Sequence, residues 1–378
     1  MDTAYPPTPA DFDRLVLHAR RCSRYLDRLL DAEPDLGEWL REYLSKPCDD
    51  TLIRHWQEAL PCEDEGQLST SLRKLRKRVM LHVLTRDLNG LSGLDEVMRS
   101  MTALAELAVR NAQTVAMRTM VAQFGRPVGA ESGAAQELLV IGMGKLGGGE
   151  LNVSSDIDLI FVYPEEGETD GPRALSNHEF FNRLGRKIIA LINDLTADGF
   201  VFRVDMRLRP YGDSGPLTMS FAALEEYLIA QGREWERYAW IKARVIAPES
   251  SPHIVELEKL AQPFVFRKYL DFGAFESMRK LHAQIRAEVA RRERHNNVKL
   301  GPGGIREIEF MAQVFQLIRG GRDSALQIRP TLSVLKLLVD RKLIPTETEQ
   351  ELREAYDFLR RLAHRLQYVE DKQTHMLP

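Results

Sequence analysis

Gly142-Met143-Gly144-Lys145-Leu146-Gly147-Gly148-Gly149-Glu150-Leu151-Asn152, followed after Val153 and Ser154 by Ser155-Asp156-Ile157-Asp158-Leu159-Ile160-Phe161, decides the fold. The apolar run Glu137–Ile141 before it reads as a strand and Ile157–Tyr163 after it as another. A strand running into G-x-G-x-x-G raises the dinucleotide-binding reading first. Two features oppose it. Lys145 to Asn152 is too short for a crossover helix. The acids Asp156 and Asp158 stand at the start of the second strand, whereas a ribose-binding carboxylate belongs about 20 residues beyond the glycines.

The acidic pair has its own logic. Alternate residues of a strand share a face, so Asp156 and Asp158 project together while Ile157, Leu159 and Phe161 enter the core. Neither has a local cationic partner in the sequence, and two carboxylates one pleat apart repel unless a cation lies between them. A hard divalent ion with phosphate oxygens as co-ligands suits that arrangement. The preceding glycines admit phosphates without Cβ obstruction. Phe200–Leu208 reads as a third strand: over 202–209 the even positions are apolar and the odd positions are Arg203, Asp205, Arg207 and Arg209. Asp205 is a candidate third metal ligand, and the arginines are candidates to balance a polyanion.

Outward from this middle third the chain reads as helical. Leu68, Leu72, Leu75, Val79, Met80, Val83 and Leu84 recur at three- and four-residue steps, and a second long helix runs over 94–124 to Gly125 and Pro127. The basic run Arg73, Lys74, Arg76, Lys77, Arg78 reads as a solvated helix face. Arg126–Gln136 reads as a linker. Ser176 with Glu179 forms a capping box for a helix that ends at Asp198-Gly199. Further helices are predicted near 274–294, 305–319, 331–342 and 346–372, the last opened by a capping box of Thr346 and Glu349. The resulting division is a helical lobe over 1–125, an α/β domain over 126–262 and a helical lobe over 263–378.

Composition narrows the function. With 52 basic against 55 acidic side chains, the net charge of −3 gives no global attraction to nucleic acid. Three cysteines, Cys22, Cys48 and Cys62, lack metal-ligand spacing and read as reduced thiols. No Cys/His cluster favours zinc. With no apolar run long enough to span a bilayer and no signal segment visible, a cytoplasmic location is expected.

These motifs resemble the bifunctional glutamine synthetase adenylyltransferase/adenylyl-removing enzyme family. The likeness rests on Gly142–Asn152, Ser155–Phe161, Val204-Asp-Met-Arg-Leu-Arg-Pro210, Gly215-Pro216, Trp235-Glu-Arg-Tyr238, Lys242-Ala-Arg244 and Lys299-Leu-Gly-Pro-Gly-Gly-Ile-Arg-Glu-Ile-Glu-Phe310, and it covers about 137–310 strongly. It implies an α+β chain with a DNA-polymerase-β-like nucleotidyltransferase domain, built on a small mixed sheet between all-helical lobes.

It further implies two Mg²⁺ ions on Asp156, Asp158 and Asp205. The backbone of Gly144–Gly148, Gly147 and Gly148 included, would meet phosphate oxygens together with Lys145 and Ser155. Arg207 and Arg209 would offset incoming orthophosphate. Lys242 is a further nucleotide candidate, on a helix with Trp235, Arg237, Tyr238 and Arg244. That helix and the Gly301–Phe310 motif are left open between wall of the site and packing between lobes.

By resemblance the chain is the amino-terminal, adenylyl-removing half. It would use orthophosphate to convert the AMP-tyrosine of adenylylated glutamine synthetase to ADP and free tyrosine. The PII signal protein is the implied regulator, and a carboxy-terminal adenylyltransferase half the implied partner. Transfer of AMP from ATP, or a non-catalytic regulatory module, are the alternatives. No nucleic acid or membrane partner is implied.

Overall fold

The computed structural model describes residues 9–267 and 296–377. The helix predicted near 274–294 lies outside them. Six helices open the described chain: α1 (Pro9–Cys22), α2 (Arg24–Ala32), α3 (Asp35–Tyr43), α4 (Asp50–Glu58), α5 (Glu65–Leu88) and α6 (Leu94–Phe124). Ser23, Asp49 and Asp64 cap α2, α4 and α5 by accepting the amide of the third residue on. Gly125 ends α6 with φ 85°, a conformation that favours glycine, and Pro127 follows.

The basic run on α5 is a solvated face only in part, and Lys74 is its exposed member. Arg73 and Arg76 are buried. Arg73 donates to Leu191 O (3.0 Å), Gly199 O (2.8 Å) and Asp194 O, and Arg76 pairs with Asp371 at 2.7 Å. Helices approach α5 on that side too, so these cations satisfy carbonyl and carboxylate groups that water would otherwise solvate.

The sheet runs β5 (Val204–Asp205), β3 (Ile157–Tyr163), β2 (Leu139–Gly142), β7 (Arg244–Ala247), and β6 (Thr218–Ser220) pairs with the far end of β3. β2 is antiparallel to β3 and β7, while β5 and β6 run parallel to β3. The sheet is small and mixed. Helices cover both of its faces. Val140, Leu159 and Phe161 join a core with α5, α6 and α8 (Asn177–Asn193). Leu139, Ile141, Ile160 and Val162 join a second core with α9 (Phe221–Ala230), α10 (Glu234–Trp240) and α11 (Pro252–Val265).

Further sequence expectations change. The strand read over Phe200–Leu208 reduces to Val204–Asp205, because the Asp205 carboxylate accepts the Arg207 amide at 2.8 Å and turns the chain. The linker contains β1 (Pro127–Gly129), which pairs with β4 (Gly167–Thr169). Lys242 lies in the turn after the helix of Trp235, which ends at Trp240, and Arg244 lies on β7.

Beyond residue 296, helices span Ile305–Arg319, Thr331–Asp340 and Thr346–Tyr368 around a third core. The last starts after Pro345 without a side-chain cap, and Glu349 instead pairs with Arg353 at 2.7 Å. Ser176 does cap α8. The end of the last helix returns to the amino-terminal helices. Tyr368 donates its hydroxyl to Asp87 at 2.6 Å, and its carbonyl accepts from Ser23 Oγ at 2.5 Å. Among the described residues no helix is long and apolar enough to cross a membrane.

Candidate active site

The glycine turn is built for close packing. Gly144 takes φ 52° and opens a one-turn helix to Gly147. A Cβ on Gly147 would lie 1.9 Å from Lys242 O and 2.3 Å from Gly142 O, so only glycine fits there. The amides of Gly147 and Gly148 donate within the turn, to Met143 O and Gly144 O. Gly144 and Lys145 line the adjoining cleft of about 360 Å³, whereas Gly147 and Gly148 pack behind it.

Ser155, Asp156, Asp158 and Asp205 line the same cleft. Asp158 and Asp205 are register partners on β3 and β5. The acids are not without cations: Asp156 accepts from Arg203 Nε at 2.6 Å, and Asp205 accepts from Arg207 Nε at 2.9 Å. Arg207 holds the Asp205 carboxyl below its ordinary range. Asp158 has no ion pair among the described residues, and burial reinforced by Asp205 pushes it up to about 6. Arg209 lies outside the cleft lining. Its guanidinium donates to Met206 O at 2.8 Å and approaches Asp213 at 3.6 Å.

Two motifs left open by the sequence reach this site. Trp235, Tyr238 and Lys242 line one wall; Lys299, Arg306, Glu309 and Gln313 line another, with Gln373 beside them. Only the unusual wording of Lys299–Phe310 signals this in sequence, since the placement depends on the chain's return to the sheet. The Lys242 ammonium is buried in a pair with Glu150 (2.5 Å) and also reaches Thr331 Oγ1 (3.0 Å). Arg360 of the last helix donates to Glu150 O, Asn152 Oδ1 and Tyr356 Oη, each at 2.6 Å. The tail of the glycine motif is thus held by the carboxy-terminal helices. The Lys145 ammonium is buried without a hydrogen-bond partner, and burial with nearby Arg360 and Lys299 pushes it well down.

Hard oxygen donors on Asp156, Asp158 and Asp205 suit a divalent cation in charge and type. The like-charge pressure on Asp158 from Asp205 and Asp156 is what such an ion would relieve. Among the described residues, however, no three His, Cys, Asp or Glu side chains already converge as a metal cage.

A glycine turn leading to acids on neighbouring strands of a small mixed sheet is the layout of a nucleotidyltransferase-like domain, and that is the structural class of this chain. Residues 15–259 match the glutamate-ammonia ligase adenylyltransferase family, and residues 279–378 match the GlnD PII-uridylyltransferase family. The chain is 56% identical over 378 residues to the bifunctional glutamine synthetase adenylyltransferase/adenylyl-removing enzyme of Nitrosomonas europaea, covering 98% of this chain and 41% of that protein. It is 58% identical over 376 residues to the protein so named from Aromatoleum aromaticum, covering 99% and 40%. The counterpart from Neisseria meningitidis serogroup B is 50% identical over 363 residues, covering 95% and 40%. The chain therefore belongs to the glutamate-ammonia ligase adenylyltransferase family, and it spans about two fifths of the length of these relatives.

Proposed function

We propose that this chain is an adenylyl-removing unit that deadenylylates glutamine synthetase by Mg²⁺-dependent phosphorolysis. The observation that carries the reading is the cleft itself, with three carboxylates on one side and the unpartnered Lys145 ammonium at its base. The choice of removal over transfer rests on the wording of Leu151–Asp158, which is closer to the adenylyl-removing half of the resembled family. An oxygen of orthophosphate attacks the α-phosphorus of the AMP-tyrosine, the phosphorus–tyrosyl oxygen bond breaks, and the proton of hydrogen phosphate passes to the tyrosinate. ADP and tyrosine result. Two anions must meet, so positioning and charge neutralisation dominate over acid–base work.

Asp156, Asp158 and Asp205 would hold two Mg²⁺ ions. Bound there, the metal supplies neutralisation at the α-phosphate and stabilises the departing tyrosinate. Lys145 and Ser155 would face phosphate oxygens, Trp235 and Tyr238 would flank the nucleotide, and Asp205 would assist the proton transfer. The layout proposed is a helical lobe over 1–125, a catalytic domain over 126–262 and a helical lobe over 263–378. The PII signal protein and the rest of the longer polypeptide are the proposed regulatory partners, in the cytoplasm.

Incubating the chain with adenylylated glutamine synthetase, orthophosphate and Mg²⁺ should release ADP. Pyrophosphate released from ATP, with AMP appearing on unmodified glutamine synthetase, would establish transfer instead. No Mg²⁺-dependent turnover in either direction would leave a regulatory module.

A further inference from the structure

The cleft has walls of opposite sign. Asp156, Asp158 and Asp205 form one; on the other, Lys145 stands on the glycine turn, Lys299 just before the 305–319 helix and Arg306 in its first turn. The other cations nearby are already engaged. Lys242 and Arg360 are bonded to Glu150, Asn152 and Tyr356, and Arg207 is tied to Asp205. Lys299 and Arg306 form no ion pair among the described residues. The Lys145 ammonium is enclosed with no acceptor at all. A buried cation among other cations is costly unless an anion joins it. Glu309 also faces this group and is held ionised by Lys242 and Lys145, but one carboxylate leaves positive charge in excess.

Resting on the phosphorolysis reading above, we propose that Lys145, Lys299 and Arg306 form the subsite for the attacking orthophosphate dianion, opposite the acids that take the α-phosphate of AMP. The role that sequence reasoning gives to Arg207 and Arg209 passes to this wall. Two ammonium groups supply up to six N–H donors, and the guanidinium adds a planar fork, a donor set matched to a tetrahedral oxyanion. The wall then presents one oxygen of the dianion to phosphorus while the acid wall orients the AMP. The β- and γ-phosphates of ATP share this chemistry, and the test separates the two sources.

The experiment pairs two measurements on the chain and on Lys299→Met and Arg306→Met. One is calorimetric titration with sodium phosphate and, separately, with ATP, with no metal added. The other is the dependence of ADP release on orthophosphate and on adenylylated glutamine synthetase. Lys299→Met should raise half-saturating orthophosphate by about tenfold or more, as loss of a charge-assisted hydrogen bond implies. Half-saturating adenylylated glutamine synthetase and melting temperature should stay unchanged. Arg306→Met, at an exposed position, should show a smaller shift in the same sense and keeps the test alive if Lys299→Met fails to fold.

An unchanged orthophosphate dependence in a variant that still forms ADP would overturn the subsite, as would a shift confined to ATP. If the unsubstituted chain forms no ADP, phosphorolysis itself fails. The calorimetric comparison then decides the subsite alone: phosphate binding lost in Lys299→Met upholds it, and equal or absent binding in both proteins removes it.

Discussion

Asp158 of β3 and Asp205 of β5 face each other as register partners on parallel strands, so two carboxylates stand side by side at the mouth of the glycine turn. One is clamped by Arg207; the other has no ion pair among the described residues and is pushed up to about 6. Its folded value exceeds the ordinary 3.8. Its contribution to stability is therefore fully present below the ordinary value and is lost as pH rises through about 6. Asp158→Asn should raise the melting temperature of the metal-free chain at pH 7.5 by a few degrees and change it little at pH 4. Equal shifts at both pH values in scanning calorimetry would contradict the like-charge account.

The same proton competes with metal. Binding of Mg²⁺ needs Asp158 ionised, so apparent affinity should weaken by about tenfold per pH unit below about 6, and level off above it. Calorimetric titrations at pH 5 and pH 7.5 check this. In Asp158→Asn, binding should be weak at both, and turnover should fall by on the order of a hundredfold or more.

Arg207 makes a separate claim on the site. Its side chain is 73% exposed, while the Asp205 carboxylate that it clamps is 15% exposed. A guanidinium so open to water adds little stability. It does occupy the oxygens that a cation would take. Arg207→Met keeps the aliphatic stem, and the expected outcome is an unchanged melting temperature with severalfold tighter Mg²⁺ binding. Looser Mg²⁺ binding would show that Arg207 orients Asp205 for the metal and does not compete with it.

Arg360 ties the last helix to the glycine motif through Glu150 and Asn152. Removing it strands the buried Glu150 carbonyl and leaves Asn152 Oδ1 to His364 and the Tyr356 hydroxyl to Glu309. Arg360→Met should destabilise by about 3 kcal/mol, within the range for breaking a buried charged network. Urea denaturation measures it.

The long elements are legible in sequence. β3 follows from the five consecutive apolar residues Leu159–Tyr163 ended by Pro164, and α6 from its period and the Gly125–Pro127 stop. The 305–319 helix matches because Gly301–Gly304 marks its start. The third strand fails because strict alternation over 202–209 says nothing of the Asp205 carboxylate capturing the Arg207 amide two residues on. Two of the three acids acquire their partners in ways that periodicity does not reveal. Arg203 meets Asp156 from 47 residues away, and Arg207 must fold back on itself. The wall of Lys299 and Arg306 is built by a chain return of more than 140 residues from Asp156 and Asp158 and more than 90 from Asp205, and local sequence cannot encode that distance.

The basic run on α5 supplies the last test, because one run holds both kinds of cation. Arg73 is 1% exposed and gathers three carbonyls where α8 ends and the chain turns at Gly199; Lys74 next to it is exposed. The end of a helix leaves carbonyls without intrahelical partners and carries partial negative charge, so a buried guanidinium there answers both needs. Burial also pushes the Arg73 guanidinium down, yet the nearby Asp194 and Asp198 hold its charge. Arg73→Met strips the donor from the buried Leu191 carbonyl and from Asp194 O, while Gly199 O keeps the Thr196 amide. A loss of about 2–4 kcal/mol is expected from that desolvation. Lys74→Met removes the same charge from the same helix and should shift stability by no more than about 0.5 kcal/mol. Chemical denaturation of the two variants side by side separates position from charge. Similar losses in both would mean that the run acts as a charged surface after all.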